Sequence, residues 1–492
     1  MIRSPSLSAS LVPSLAHADR SLVGVALTLA IFCLGGLTGC VHAPLNQPLA
    51  TLNQEVGYRV ANALTEDPSG DEVFVILAFS GGGTRAAAFS YGAMEKLAAT
   101  PITLEGKTRS LLDEVDIISS VSGGSFTAAY YGLHRKKGDF DTFPERFLYH
   151  HVRTALALGL INPLNWPKLL SPYYDRIDMA ADYYDRTVFD HQTFGDLAAI
   201  SGRPFIVLNA TDMSLGSRFE FTQDQFDYLG SDLSSYPLAR GVAASSAFPF
   251  LLSPLTLENY PGFPDQAWIA TALKDRERNP RDFAYASAMQ SYADKERRPF
   301  IHLLDGGLAD NIGLRGPAYA LFSSKNAWAR TQSSQKPWSL LQLLNTKKIK
   351  YLVVITVNAK TSVAPNWDEK QKAPGISGMM SVVTSAPMGN YSDETVQYVH
   401  DQLEARQQLM DDPNPVKFYA IELTVGDIKD AAERDRLNAI PTDFQISREA
   451  VAELRKAAGE LLDQSTAFQR LRADLGPKAN AASAGNAGKN PQ

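Results

Sequence analysis

The sequence predicts an α/β fold on a mostly parallel central sheet, and three observations carry that prediction. Apolar runs too short for helices and rich in β-branched residues recur along the chain, as in Val73-Phe74-Val75-Ile76-Leu77-Ala78-Phe79. The first two such runs lead into glycine-rich turns, and each turn opens a helical pattern, so strands alternate with helices. Composition agrees: 45% hydrophobic and 20% charged residues over 492 positions suit one large domain with additions, or two units. The same figures exclude a disordered, collagenous or multi-span membrane chain. With 47 Lys and Arg against 53 Asp and Glu the net charge is −6, so nucleic acid is not an expected partner.

In chain order, residues 22–37 form an uncharged apolar run of export-signal type, with Arg3 and Arg20 before it. The run is 16 residues, short of the ~20 a spanning helix needs. It ends in Leu37-Thr38-Gly39-Cys40, which resembles the bacterial lipoprotein lipobox and implies cleavage before Cys40 and lipid attachment at its sulfur. Residues 1–39 are therefore expected to be a signal peptide, and the lipid to hold the chain in the cell envelope, at the outer membrane because Val41 is not acidic. Cys33 falls in the removed segment, which leaves a single cysteine and no internal disulfide. Residues 40–71 are polar and proline-marked and read as a tether with one short helix near 52–64. Order begins at residue 72, with strand–turn–helix units at 73–99 and 115–133. Further strands are expected at 205–208, 219–221, 301–304, 351–357 and 416–423. Val451, Leu454, Ala458, Leu461 and Leu462 share one face of a late helix, and residues 474–492 read as a disordered tail.

Three constellations carry chemistry. In Ser80-Gly81-Gly82-Gly83-Thr84-Arg85 the glycines stand between a buried strand and a helix start, where backbone N–H groups and the helix dipole can receive an anion. Gly81, Gly83 and Ala86 also satisfy the dinucleotide pattern, with Glu105 as its acidic partner, whereas the P-loop lysine is absent. Ser120-Val121-Ser122-Gly123-Gly124 resembles a nucleophile elbow, with Ser120 where glycine is usual; Ser125 is the competing nucleophile but falls where the helix should have begun. Asp305-Gly306-Gly307 follows an apolar strand and reads either as a hairpin turn or as an acid at the carboxyl end of a sheet strand, on the same side as the other two motifs.

Together with Ala244-Ser245-Ser246-Ala247-Phe248-Pro249, these motifs resemble in order and spacing the set found in patatin-like phospholipases. The resemblance covers roughly residues 72–317 and implies a patatin-like three-layer α/β/α core. It implies hydrolysis of phospholipid or another long-chain ester by a Ser–Asp dyad without histidine. By motif position Ser122 would be the nucleophile, Asp305 its partner, and Gly81, Gly82 and Gly83 with Arg85 the oxyanion hole. Residues 318–473 are expected to pack on that core as a C-terminal extension, within which Pro441-Thr442-Asp443-Phe444 looks like a continuation seen in bacterial members.

The chemistry of ester cleavage fits independently, because attack turns the carbonyl oxygen into an anion that donors in a glycine loop stabilise. Among the histidines His302 is the nearest rival base, yet on a strand it and residue 305 point to opposite faces. The aromatic insertion at residues 140–189 either lines an acyl-chain entrance or packs into the core. No ligand spacing for a metal and no cofactor are expected. The competing function is a catalytically silent or nucleotide-binding lipoprotein that uses the same fold.

Overall fold

The computed structural model describes residues 46–477 except 54, 66–71, 201, 250, 263, 265–266, 323–348, 362–368, 370, 374 and 410–415. The expected signal peptide and Cys40 lie outside the described residues, as does most of the expected tail.

Eight strands form the central sheet: β1 Val73–Phe79, β2 Val115–Val121, β3 Phe205–Asp212, β4 Ser217–Glu220, β5 Leu255–Glu258, β6 Phe300–Asp305, β7 Tyr351–Asn358 and β8 Lys417–Thr424. Their order is β8-β7-β1-β2-β3-β6-β5, with β4 on β3. The five strands from β8 to β3 run parallel. Every residue of β1, β2 and β3 is buried, which is why these strands read as continuous apolar runs rather than alternating ones. Helices cover the sheet in a three-layer α/β/α arrangement. Those used below are α1 Gly83–Ala98, α2 Gly123–His134, α3 Val152–Ile161, α4 Arg176–Tyr184, α5 Leu238–Ser245, α6 Ile376–Leu409, α7 Arg448–Gln464 and α8 Thr466–Leu475. The apolar face expected on the late helix is that of α7, where Val451, Leu454, Ala458, Leu461 and Leu462 are buried.

The structure adds to or differs from the expectations at four points. First, Asp305 does not end a strand running the same way as β1 and β2. Strand β6 is antiparallel to β3, pairing Leu303 with Asp212 and Asp305 with Ala210. It enters from beyond the carboxyl ends of the parallel strands, and its last residue stops beside the end of β2, where Val121 pairs with Asn209. Second, the expected tether is packed. Gln47–Pro48 pairs with Ser231–Asp232, Tyr58 stacks on Phe205 at 4.3 Å, and Arg59 holds Asp224 and Asp227 at 2.7 and 2.8 Å. An aromatic and a doubly paired arginine tie this segment to the core despite its polar composition. Third, a boundary at residue 317 does not divide the sheet, since β7 and β8 extend it at the β1 edge. Fourth, α8 runs to Leu475, and Asp474 hydrogen-bonds Tyr419 and Lys417, so packing passes the expected start of the tail.

The aromatic insertion divides between its two readings. Phe147 and Tyr184 are buried around Phe126, at centroid distances of 4.1 and 4.9 Å, as core packing requires. Trp166 and Tyr173 stand exposed.

Candidate active site

Ser122 follows the last residue of β2 and caps α2 with φ 50° and ψ −119°. Positive φ in a non-glycine residue costs of order 1–3 kcal/mol, and such strain persists only where the surroundings impose it. Here they do so through backbone packing. A Cβ on Gly123 would lie 1.9 Å from the Gly83 carbonyl oxygen, so the elbow and the glycine loop press backbone against backbone. Ser120 fits where glycine was expected because its hydroxyl donates to the Val207 carbonyl of β3 at 3.1 Å. Ser125 is fully buried in the first turn of α2 and its hydroxyl is engaged with that of Ser245 at 2.9 Å. It is not presented to a ligand.

Asp305 is 2% exposed. Its Oδ1 accepts the Gly307 N–H at 2.8 Å, and the Ser122 side chain is close enough to act on the carboxyl. Burial pushes its pKa up to about 6, and these two groups only partly offset the burial. No arginine or lysine is among the groups acting on it. His302 is exposed on the other face of β6 and meets the Thr256 hydroxyl at 3.1 Å. Among the described residues no histidine is hydrogen-bonded to Ser122 or Asp305.

The glycine loop lies on the elbow: a Cβ on Gly81 would stand 3.3 Å from that of Ser122. The Gly81 N–H, however, donates to the Asn311 carbonyl at 2.9 Å, so this glycine spaces the loop and offers no free donor. The N–H groups of Gly82 and Gly83 carry no hydrogen bond among the described residues. They sit at the amino end of α1. Gly83 has φ 60°, and a Cβ there would fall 2.3 Å from the Asp443 carbonyl oxygen, which itself accepts the Thr84 N–H at 2.8 Å. Arg85 is buried, has no carboxylate partner among the described residues and donates to the Ile440 carbonyl at 2.8 Å. Burial pulls its pKa down to about 10. The C-terminal region therefore braces the loop through Ile440 and Asp443. Glu105, weighed as a ribose partner, is an exposed residue in the turn between Pro101–Leu104 and Lys107–Ser110.

The Ala244-Ser245-Ser246-Ala247 run joins the two halves of the site. Ser122 N–H donates to the Ser245 hydroxyl at 2.9 Å, and that hydroxyl donates to the Asn209 carbonyl at 2.6 Å. The N–H groups of Asp305 and Gly306 donate to the carbonyls of Ala247 and Ser245 at 3.0 and 3.1 Å. Thr211 adds a bridge from its hydroxyl to the Asp305 carbonyl at 2.8 Å. The sequence reading assigned no role to Ser245, Thr211 or Asn311. The available signals were Ser245 inside a quoted motif and polar Asn209 and Thr211 inside an otherwise apolar strand.

Residues 77–317 match the family model described as patatin-like phospholipase. Among solved structures the chain is similar to human GIVD cytosolic phospholipase A2, at 14% identity over 85% of this chain and 65% of that one, with a TM-score of 0.42. A similarity to VipD from Legionella pneumophila has 12% identity, 80% and 67% coverage, and a TM-score of 0.31. The chain thus spans 65% of the length of the human protein. No curated protein matches it.

Proposed function

We propose that the chain, whose residues 77–317 match the patatin-like phospholipase family model, cleaves carboxylic esters of phospholipids or other long-chain lipids through Ser122 and Asp305. The observation that carries the proposal is Ser122 on a strained elbow beside a buried carboxylate on which no cation acts. Asp305 takes the hydroxyl proton as Ser122 Oγ attacks the ester carbon, and the carbonyl oxygen becomes the oxyanion. The free N–H groups of Gly82 and Gly83 receive that charge, and Arg85, with no carboxylate partner among the described residues, adds a positive field behind them. The proton then passes from Asp305 to the leaving alcohol, and the acyl group stays on Ser122. Water, deprotonated by Asp305, attacks the acyl carbon, and that proton passes to Ser122 Oγ as the fatty acid leaves. Carbonyl polarisation is assigned here to backbone donors, so turnover of a p-nitrophenyl ester and of phosphatidylcholine is expected to survive EDTA and to vanish in Ser122→Ala. Complete loss on chelation, or full activity of Ser122→Ala, would contradict the reading.

The proposed setting is the bacterial envelope, with lipid on Cys40. Cys40→Ala is expected to leave the precursor uncleaved and without a labelled acyl chain after growth on radioactive palmitate. Normal processing and acylation of that variant would contradict the anchor.

A further inference from the structure

Two segments bordering the proposed site carry apolar side chains that the fold does not use. The first is the carboxyl half of α3 with the loop after it. Ile161 is 69% exposed, Leu164 84% and Leu170 68%, with Trp166 exposed between them. The second is the amino half of α6, where Ile376 is 76% and Val383 65% exposed and Met379 is exposed between them.

Each segment continues an element that touches the site at its other end. At the start of α3, Arg153 pairs with Asp443, whose carbonyl sits against Gly83. In α6, Met388 packs on the Asp305 turn: a Cβ on Gly307 would lie 2.4 Å from its Cε.

The orientation of α6 is set by its two faces. At 100° per residue, Met388, Ser392, Thr395, Val399 and Leu403 form one ridge, and the last four of these are buried. Ile376, Met379 and Val383 follow i, i+3, i+7 spacing on the opposite side, away from that packed ridge. The carboxyl half is held by Lys360 on Asp393 at 2.8 Å and by the Arg315 guanidinium 4.3 Å from the Tyr391 ring centroid. Pro387 removes a backbone donor between the held half and the apolar half.

Charge identifies the occupant. Residues 373–392 contain no charged side chain, and residues 154–174 contain Lys168 alone and no acid, in a chain of net charge −6. A protein partner would ordinarily be met with a polar, charged rim around the apolar centre. Exposed leucine, tryptophan and tyrosine with one lysine and no carboxylate is instead the composition that settles at the boundary between lipid headgroups and acyl chains. Among the described residues no helix is long and apolar enough to cross a membrane, so these segments would lie in the surface.

We propose that the 158–173 segment and the amino half of α6 together form a docking surface for a phospholipid bilayer, seating the mouth of the Ser122 site on the membrane. The inference deepens the preceding reading, and its first test uses no hydrolysis, so either can fail without the other. In the full chain carrying Ser122→Ala, Cys33→Ser and Cys40→Ser, a single NBD label is placed at Leu164→Cys, at Val383→Cys, or at Lys107→Cys. Lys107 is an exposed control that opens the strand Lys107–Ser110, in a hairpin whose residues Leu104 and Thr108 lie beside Glu72 and Tyr351 at the amino end of the parallel strands, away from the site. With phosphatidylcholine vesicles, spin-labelled phosphatidylcholine is expected to quench the labels at 164 and 383 several-fold more than at 107. No quenching at either of the two positions, or equal quenching at all three, overturns the proposal. So does a blue shift at 164 and 383 that grows with protein concentration without vesicles, which would mean a second copy covers the face. In the active chain, Leu164→Asp with Val383→Asp should lower phosphatidylcholine-vesicle turnover at least tenfold while leaving a soluble short-chain ester unaffected. Equal losses on both substrates would overturn the proposal.

Discussion

Two aspartates on one pair of strands, Asp212 ending β3 and Asp305 ending β6, are both buried but differ in what surrounds them. Asp212 is met by Arg298 at 2.5 Å, by the Tyr292 hydroxyl at 2.9 Å, and by the N–H groups of Ser214 and Leu215. Asp305 accepts one backbone N–H, has the Ser122 side chain beside it and no cation acting on it, and burial drives its pKa up to about 6. The ladder pairs Leu303 with Asp212, so the two acids stand two residues apart in register. The difference separates a carboxylate whose charge is neutralised for structure from one kept available to a proton.

The largest effect expected from that contrast is on catalysis. Asp305→Asn and Ser122→Ala should each lower ester turnover by roughly a thousandfold or more, and the double variant should be hardly worse than either, because the two groups act as one unit. Additive losses in steady-state kinetics would separate them. Next in size is Gly83→Ala. Its Cβ would fall on the Asp443 carbonyl, and its φ of 60° disfavours a side chain, so one oxyanion donor should be displaced. A loss of roughly a hundredfold to a thousandfold in kcat is expected, checked beside circular dichroism to confirm folding.

Stability should move in opposite directions at the two acids. Asp212→Asn leaves Arg298 largely buried without its counter-charge and should cost about 3 kcal/mol in denaturant unfolding, with turnover per folded molecule unchanged. For Asp305 the folded pKa lies above that of an unfolded carboxylate, so the native state holds the proton more tightly. Ionising it costs stability as pH rises from about 4 to about 6, and above about 6 that cost is fully present. Asp305→Asn removes it and should stabilise the chain at pH 8 by up to about 3 kcal/mol, with little gain at pH 4. Wild-type turnover should rise along an acid limb with its midpoint near 6, as the carboxylate forms. The smallest effect belongs to Ser245→Ala, which takes one hydrogen bond from the Ser122 backbone; kcat should drop about tenfold with KM nearly constant.

The parts of the fold read well from sequence are those where local signals and burial agree. Strands β1 and β2 appear with the expected bounds because a fully buried parallel strand must be apolar throughout. The direction of β6 was not legible, since Asp-Gly-Gly after an apolar run is the same string whichever way the strand enters the sheet. At the candidate site, turn chemistry singles out Ser122 and Asp305 for the proposed roles, whereas it also groups Gly81 with the donors although its N–H is taken by Asn311. That contact joins residues 230 positions apart, and nothing in local spacing encodes it. The same holds for Ile440 and Asp443, which brace the loop from a region expected only to pack on the core. Low charge in residues 373–392 was visible, but its meaning needed the exposure of Ile376 and Val383.

The claim that Ser122 is activated by Asp305 is tested most directly by a fluorophosphonate probe followed by peptide mass spectrometry. The account predicts a single adduct on Ser122, formed faster as pH rises through about 6 and lost or strongly slowed in Asp305→Asn. An adduct on Ser125 or another serine, no adduct on folded wild-type protein, or equal labelling of Asp305→Asn would contradict it.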